Sequence, residues 1–265
     1  MVGDSEKPVI VEQNGPVTEL VLNRPATMNA IDDELAESLK ASLAAVARNP
    51  RCRCLVITGT GRGFCSGQVL PDARAGNELP ADIAGLVRQR YVPIISMIRG
   101  LGVPVVAAVN GPAAGAGLSL ALAADIRVAS DNAWFSCGFS QIGLVPDAGA
   151  SYFLPRLLGL SRALEFAVSG ARMAAAQALE LGLVSRVVRA ADFASDYRQF
   201  AAELAAAPTR AFALTKRAFS EALGSTLFDQ MELEAELQQA ASETADFREG
   251  LRAFQEKRTP HFQGH

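Results

Sequence analysis

The feature that most constrains this chain is a fully apolar run, Val103-Pro-Val-Val-Ala-Ala-Val109. It stops at Asn110-Gly111-Pro112 and leads through Gly115-Ala-Gly117 into an Ala/Leu-rich stretch that ends near Ala124. A strand that is apolar on both faces must be covered from both sides, which suits the middle of a parallel sheet between helices. The same order of elements appears earlier. Val17–Leu22 alternates, turns apolar and ends at Asn23-Arg24-Pro25. Asp32 then stands where it can cap a helix carrying Leu35, Leu39, Leu43 and Val46 on one face, and Asn49-Pro50 stops that helix. Leu55–Thr58 is a short β-branched run closed by Gly59-Thr-Gly-Arg-Gly63, and Ile126–Ala129 reads as a further strand. Strands alternating with helices predict an α/β fold with buried, largely parallel strands. After Val187 the composition shifts to Ala, Leu, Gln and Glu, which predicts helices to about Glu256. We divide the chain into a core over residues 1–200 and a helical region over 201–265 of the kind that packs on a neighbouring subunit.

Composition removes several classes of function. The chain has 265 residues, 49% of them hydrophobic and 20% charged, enough to build a substantial core. A net charge of −3 argues against nucleic-acid binding, which calls for a basic patch. The apolar stretches are broken by Gly, Pro or charge well before the roughly 18 residues a membrane span needs. The start, Met-Val-Gly-Asp-Ser-Glu-Lys-Pro, has no signal-peptide pattern, so the expectation is a cytoplasmic protein. Cys52, Cys54, Cys65 and Cys137 are too few for a disulfide scaffold, and no Cys/His cluster suggests a metal. The only histidines, His261 and His265, lie at the very end, which excludes most Ser/His/Asp and Cys/His machinery.

Two glycine loops, Gly61–Gln68 and Asn110–Gly117, follow strands directly. Glycine permits close backbone approach, and a helix N-terminus offers unpaired N–H groups. Two such loops converging would supply two backbone donors to one oxyanion; the alternative is that they are tight turns for close strand–helix packing. Neither loop completes the dinucleotide fingerprint. Gly63-Phe-Cys-Ser-Gly67 has the spacing of a nucleophile elbow around Cys65, but no histidine is at hand to activate the thiol.

With Leu22-Asn-Arg-Pro25 and Asn29-Ala30, Gly63–Gly67, Ala108-Val-Asn-Gly-Pro-Ala-Ala-Gly115, Ala124-Asp-Ile126, Gly143-Leu-Val-Pro-Asp147 and Phe247-Arg-Glu-Gly250, the whole chain resembles the crotonase (enoyl-CoA hydratase/isomerase) superfamily. Within it, Gly-Phe-Cys-Ser-Gly-Gln, Phe139-Ser140 and Arg258-Thr-Pro look most like the 1,2-epoxyphenylacetyl-CoA isomerase subgroup. The resemblance implies a spiral of ββα units with a C-terminal α-helical trimerisation region, a homotrimer or a hexamer built as a dimer of trimers, and an acyl-CoA thioester substrate. Coenzyme A then arrives as part of the substrate, and no permanently bound cofactor is implied. On matching positions the oxyanion donors are the backbone N–H groups of Gln68 and Ala116. The CoA-gripping positions are Arg24, Ala26, Met28, Ser66 and Gln68, joined by Phe254 and Lys257 near the C-terminus. The acyl pocket is implied at Tyr91, Ser119, Phe139 and Leu144. Asp125 matches a structural aspartate, and Trp134 and Phe135 are expected in the core.

The two glutamates of the family's hydratases are absent: Ser119 and Phe139 occupy their positions. Hydration needs one group to activate water and another to supply a proton, whereas an isomerase needs a single base. Asp147 matches the catalytic aspartate of the epoxide isomerase. Phe139, Leu144 and Val145 are candidates for an apolar wall that would raise its pKa. Read without the resemblance, Asp147 begins a turn or caps a helix. The expectation is an isomerase that shifts a 3-enoyl-CoA double bond or isomerises a ring epoxide of phenylacetyl-CoA. A hydratase or other lyase, a dehalogenase with Asp147 as nucleophile, and a catalytically silent CoA-thioester scaffold are the alternatives. One departure from the subgroup is Val69, where an aspartate is usual; Pro71-Asp72 follows closely.

Overall fold

The computed structural model describes residues 7–70 and 82–265, so Pro71 and Asp72 lie outside the described residues. In chain order the elements begin with β1 (Val9–Asn14), β2 (Val17–Leu22), α1 (Asp33–Ala47), β3 (Cys54–Gly59), the single turn α2 (Ile83–Leu86), α3 (Val92–Gly100) and β4 (Val105–Val109). There follow β5 (Ala113–Ala114), α4 (Ala116–Ala123), β6 (Ile126–Ser130), β7 (Trp134–Ser136), α5 (Ala150–Leu158), α6 (Leu160–Ser169), β8 (Met173–Ala174), α7 (Ala175–Glu180) and β9 (Arg186–Val188). Four helices close the chain: α8 (Phe193–Ala206), α9 (Thr209–Ala222), α10 (Leu227–Ser242) and α11 (Ala245–Glu256).

The main sheet runs β1-β2-β3-β4-β6-β9; β1 is antiparallel to β2 and every other neighbouring pair is parallel. Alternation along the strands explains their apolar sequences. Leu55 and Ile57 of β3, with Val105, Ala107 and Val109 of β4, face Leu35, Leu39 and Leu43 of α1 and Ile94 and Ile98 of α3. Cys54, Val56, Val106 and Ala108 face the other way, against Phe193, Tyr197, Ala201 and Ala205 of α8. Both faces are covered, so both registers must be apolar. A second sheet, β5-β7-β8, sits beyond the end of β4.

β2 and α1 lie where the sequence places them. Asp32 caps α1, its Oδ1 accepting from Leu35 N at 2.8 Å. The apolar run at Val103 becomes a strand only at Val105, because Pro104 has no N–H to donate to a ladder. β1 carries no clear signal: it is an edge strand with only Val9 buried, so its Val-Ile-Val-Glu-Gln-Asn sequence does not alternate. Residue 200, the expected boundary, falls inside α8, which packs on the sheet; the helices beyond it begin at Thr209. Phe135 is in the core, while Trp134 is partly exposed beneath the Arg172 guanidinium.

Asp125 ties the two parts of the chain together. Its carboxylate accepts from Val105 N (2.9 Å), Lys216 Nζ (3.0 Å) and Arg99 Nη1 (3.1 Å), and Lys216 also donates to the Ile98 and Leu101 carbonyls. This lysine anchors α9 to the end of α3 and the start of β4. Among the described residues, no helix is long and apolar enough to cross a membrane.

Candidate active site

The two glycine loops meet beyond the ends of β3 and β4. They run side by side, with Cys65 N donating to Pro112 O (3.1 Å) and Ala114 N to Cys65 O (3.0 Å). Gly67 has φ +100°, and a Cβ there would lie 2.8 Å from Ala114 O and 3.3 Å from Ala116 N. Only glycine lets the first loop approach the start of α4 this closely. Gly115, at φ +51° and ψ −126°, turns the chain so that Ala116 opens α4 with an N–H that has no intrahelical acceptor. On the facing loop, Ile31 N donates to Gly67 O (2.7 Å) and Val69 N to Ile31 O (3.1 Å). Those bonds hold the chain on either side of Gln68 and leave its own N–H directed away from Ile31. Among the described residues, neither the Gln68 nor the Ala116 N–H is paired with an acceptor.

Asn29 and Asn110 hold the first loop from below. Asn29 is fully buried and left-handed (φ +57°); its Nδ2 donates to Thr60 O (3.0 Å) and Gly63 O (2.8 Å), and its Oδ1 accepts from Arg24 N (2.8 Å). Asn110 donates to Gly61 O and Gly63 O and accepts from Gly59 N. Through these bonds Arg24, Ala26 and Met28 are carried on a tight turn beside the loop. Ser66 closes that turn, its N donating to Met28 O and its Oγ to Thr27 O, both at 2.9 Å. The Arg24 guanidinium pairs with Glu34.

Asp147 follows the short helical turn that begins at the buried Phe139. Its main-chain carbonyl accepts from Ala150 N (2.9 Å) and from Ser119 Oγ (3.0 Å), so buried Ser119 of α4 holds this segment in place. Gly115 O lies 3.3 Å from the same hydroxyl, a second acceptor for its one proton. The next two residues, Ala148 (φ +48°) and Gly149 (φ +86°), are both left-handed. Gly149, not Asp147, stands at the N-cap of α5, and among the described residues no side chain caps that helix. The carboxylate is free for other work: Oδ1 is buried and has no hydrogen-bond partner among the described residues, and desolvation holds the group above its ordinary pKa. Burial, then the Asp147 charge, raises the Cys137 thiol to about 11, and the same charge reaches the Tyr91 phenol. The Asp147 charge thus reaches groups from two other parts of the chain, Tyr91 in the turn before α3 and Cys137 after β7.

Two expected pieces of the Asp147 wall are exposed. Leu144 is 45% exposed and Val145 77% exposed, because the chain from Gly143 runs over the surface before turning in at Asp147; of the three, Phe139 alone is buried. Val69 is half exposed. Phe254 and Lys257, at the end of α11, are exposed to solvent, and among the described residues no hydrogen bond or ion pair joins their side chains to the loop cluster. Burial pushes the Cys65 thiol up to about 12, and the thiol donates to Asn29 O, so it is an inert packing group.

Tyr91 closes the site. A π turn at Val87–Tyr91 between α2 and α3 buries both Arg90 and Tyr91. The Tyr91 hydroxyl donates to Gln68 Oε1 at 2.5 Å, and Arg90 pairs with Asp33 at the start of α1. Arg90 carries no signal in the sequence: a charged residue among Arg88-Gln-Arg90 reads as a solvated face, and only the π turn brings it inside.

Residues 12–265 match the enoyl-CoA hydratase/isomerase family, to which the chain belongs. A probable enoyl-CoA hydratase of Rhodobacter capsulatus is 44% identical over 92% of this chain and 93% of its own length. The 1,2-epoxyphenylacetyl-CoA isomerase of Escherichia coli is 42% identical over 94% of this chain and 95% of its own. The crystal structure of an enoyl-CoA hydratase from Bacillus anthracis superposes with a TM-score of 0.91 at 31% identity, covering 97% of this chain and all of that one. The fold is the crotonase-like spiral with a helical C-terminal region.

Proposed function

We propose that this protein is an acyl-CoA isomerase in which Asp147 is the single base. Its substrate is a 3-enoyl-CoA or a ring epoxide of phenylacetyl-CoA. One observation carries the reading: a carboxylate oxygen is buried without a partner at Asp147, while Ser119 and Phe139 stand at the positions of the hydratase glutamates. In the double-bond shift, Asp147 takes a proton from C2. The C–H electron pair forms the C1–C2 double bond, and the thioester oxygen takes up the negative charge between the Gln68 and Ala116 N–H groups. The thioester carbonyl re-forms, the C1–C2 π pair shifts to C2–C3, and the C3–C4 π pair opens to take the proton from Asp147 at C4. A raised pKa suits a group that must both take and return a proton. Oxyanion donors of this kind contribute about 3–4 kcal/mol each.

Arg24, Ala26, Met28 and Ser66 hold the CoA portion, and Tyr91 and Phe139 line the acyl side, with Leu144 at its rim. Ser119 holds the Asp147 backbone. Phe254 and Lys257 reach CoA from an adjacent copy in a homotrimer or dimer of trimers. Proton transfer by this route uses no metal and no bound cofactor. The 42% identity to an epoxide isomerase is consistent with the isomerase reading; the 44% identity to a probable hydratase keeps hydration as the second reading.

The test is turnover of a 3-enoyl-CoA and a 2-enoyl-CoA by the wild type and by Asp147→Asn. Conversion of the first substrate without hydration, lost in the variant, supports the assignment. Hydration that survives in the variant contradicts it.

A further inference from the structure

We infer that Tyr91 is a positioning residue for the oxyanion site, acting through the Gln68 side chain. The inference rests on the proposed role of the Gln68 N–H. The Gln68 backbone is pinned from one side, by the pairing of Gly67 and Val69 with Ile31. Its side chain supplies the second tether, from Oε1 to the Tyr91 hydroxyl at 2.5 Å, at the short end for an O–H···O bond. With backbone and side chain both fixed, residue 68 has little freedom to rotate its N–H away from the thioester oxygen. Such preorganised donors stabilise developing charge without reorganising during the reaction.

Tyr91 is in turn not free to move. It is 3% exposed and ends the π turn that also buries Arg90. The charge of the adjacent Arg90 draws the phenol's pKa down, opposing a larger upward push from burial. Arg90 pairs on its outer side with Asp33 in the first turn of α1, where its guanidinium meets an exposed carboxylate. The π turn is thus tied on one side to the loop after β3, through Tyr91 and Gln68, and on the other to α1, through Arg90 and Asp33. The hydroxyl does no other evident work, since its proton is committed to Gln68, and a phenylalanine ring at this position would fill the same space.

The prediction is a loss of rate rather than of binding. Removing one neutral hydrogen bond should lower kcat for the 3-enoyl-CoA about three- to tenfold in Tyr91→Phe, with KM little changed. Gln68→Met, which keeps the bulk and removes the acceptor, should lower kcat by the same factor. Tyr91→Phe added to Gln68→Met should cost nothing more, because the two changes break one link. A direct readout needs no turnover: cinnamoyl-CoA bound to the wild type should show a red-shifted absorption band as its thioester carbonyl is polarised, and each variant should reduce that shift.

Multiplicative losses in the double variant, an effect confined to KM, or an undiminished red shift in both single variants would overturn the inference. A wild type that shifts the bound cinnamoyl-CoA band but turns over neither an enoyl-CoA nor a ring epoxide of phenylacetyl-CoA would refute the isomerase reading and leave the Tyr91–Gln68 link standing. Should Tyr91→Phe fail to fold, Gln68→Met alone decides the matter by its red shift.

Discussion

Replacing Asp147 with Asn should make the protein more stable while removing the proposed base. Desolvation raises the folded-state pKa of Asp147 above its ordinary value, and its buried Oδ1 has no donor to compensate. A group whose folded pKa is raised contributes stability that is fully present below the unfolded pKa of about 3.9 and is lost as pH rises through the folded pKa. At neutral pH the wild type therefore carries an ionised carboxylate that the fold disfavours, and Asn carries none. The Asn amide would leave a polar atom unpartnered as well, so only the cost of burying the charge is relieved. Asp147 is only partly buried, so solvent screening brings the gain from Asn to about 1 kcal/mol. In a chain of this size that corresponds to roughly 2–4 °C in Tm. The assay is thermal unfolding of both proteins at one concentration, from pH 4 to pH 8. The variant should be more stable at pH 8, and the difference should close toward pH 4. A variant less stable at every pH would mean that the ionised carboxylate has a partner and is structural, which refutes the reasoning.

Other expectations follow from the same contacts. Lys216→Met leaves the buried Asp125 carboxylate with Arg99 and Val105 N alone; breaking a buried pair costs about 3–5 kcal/mol, and the remaining arginine should bring this to about 2–4, read as a lower urea midpoint at unchanged slope. Asn29→Ala removes donors to Thr60 O and Gly63 O and should cost about 1–3 kcal/mol; because it loosens the loop carrying Ser66 and Gln68, it should also weaken binding of an unreactive acyl-CoA in calorimetry. Ala148→Gly relieves a left-handed non-glycine residue and should change Tm by no more than a few degrees while lowering kcat, since Asp147 is then less firmly aimed.

Legibility in the sequence follows the range of the interactions. β2, α1 and α4 can be read because their signals are local: an alternating run, a cap at Asp32, a Gly-Ala-Gly entry. The two glycine loops can be read as candidates, yet their meeting depends on β3 and β4 being neighbours in the sheet, a long-range fact that spacing alone does not carry. β1 escapes such a reading because an exposed edge strand needs no apolar face. Leu144 and Val145 are expected beside Asp147 because they are close in sequence, and the chain instead passes over the surface there; the groups near the carboxylate, Tyr91 and Cys137, are 56 and 10 residues away. The burial of Arg90 comes from a π turn, whose extra residue breaks the 3.6-residue periodicity on which helix reading depends.

The most direct test of the central claim is exchange of the C2 proton of a bound 3-enoyl-CoA with deuterium in heavy water, followed by NMR for the wild type and Asp147→Asn. It reads proton removal itself, whether or not product accumulates. The account predicts exchange by the wild type and a fall of about 10²- to 10⁴-fold in the variant, the usual contribution of a positioned base. Exchange at the wild-type rate in Asp147→Asn would contradict it and place the base elsewhere.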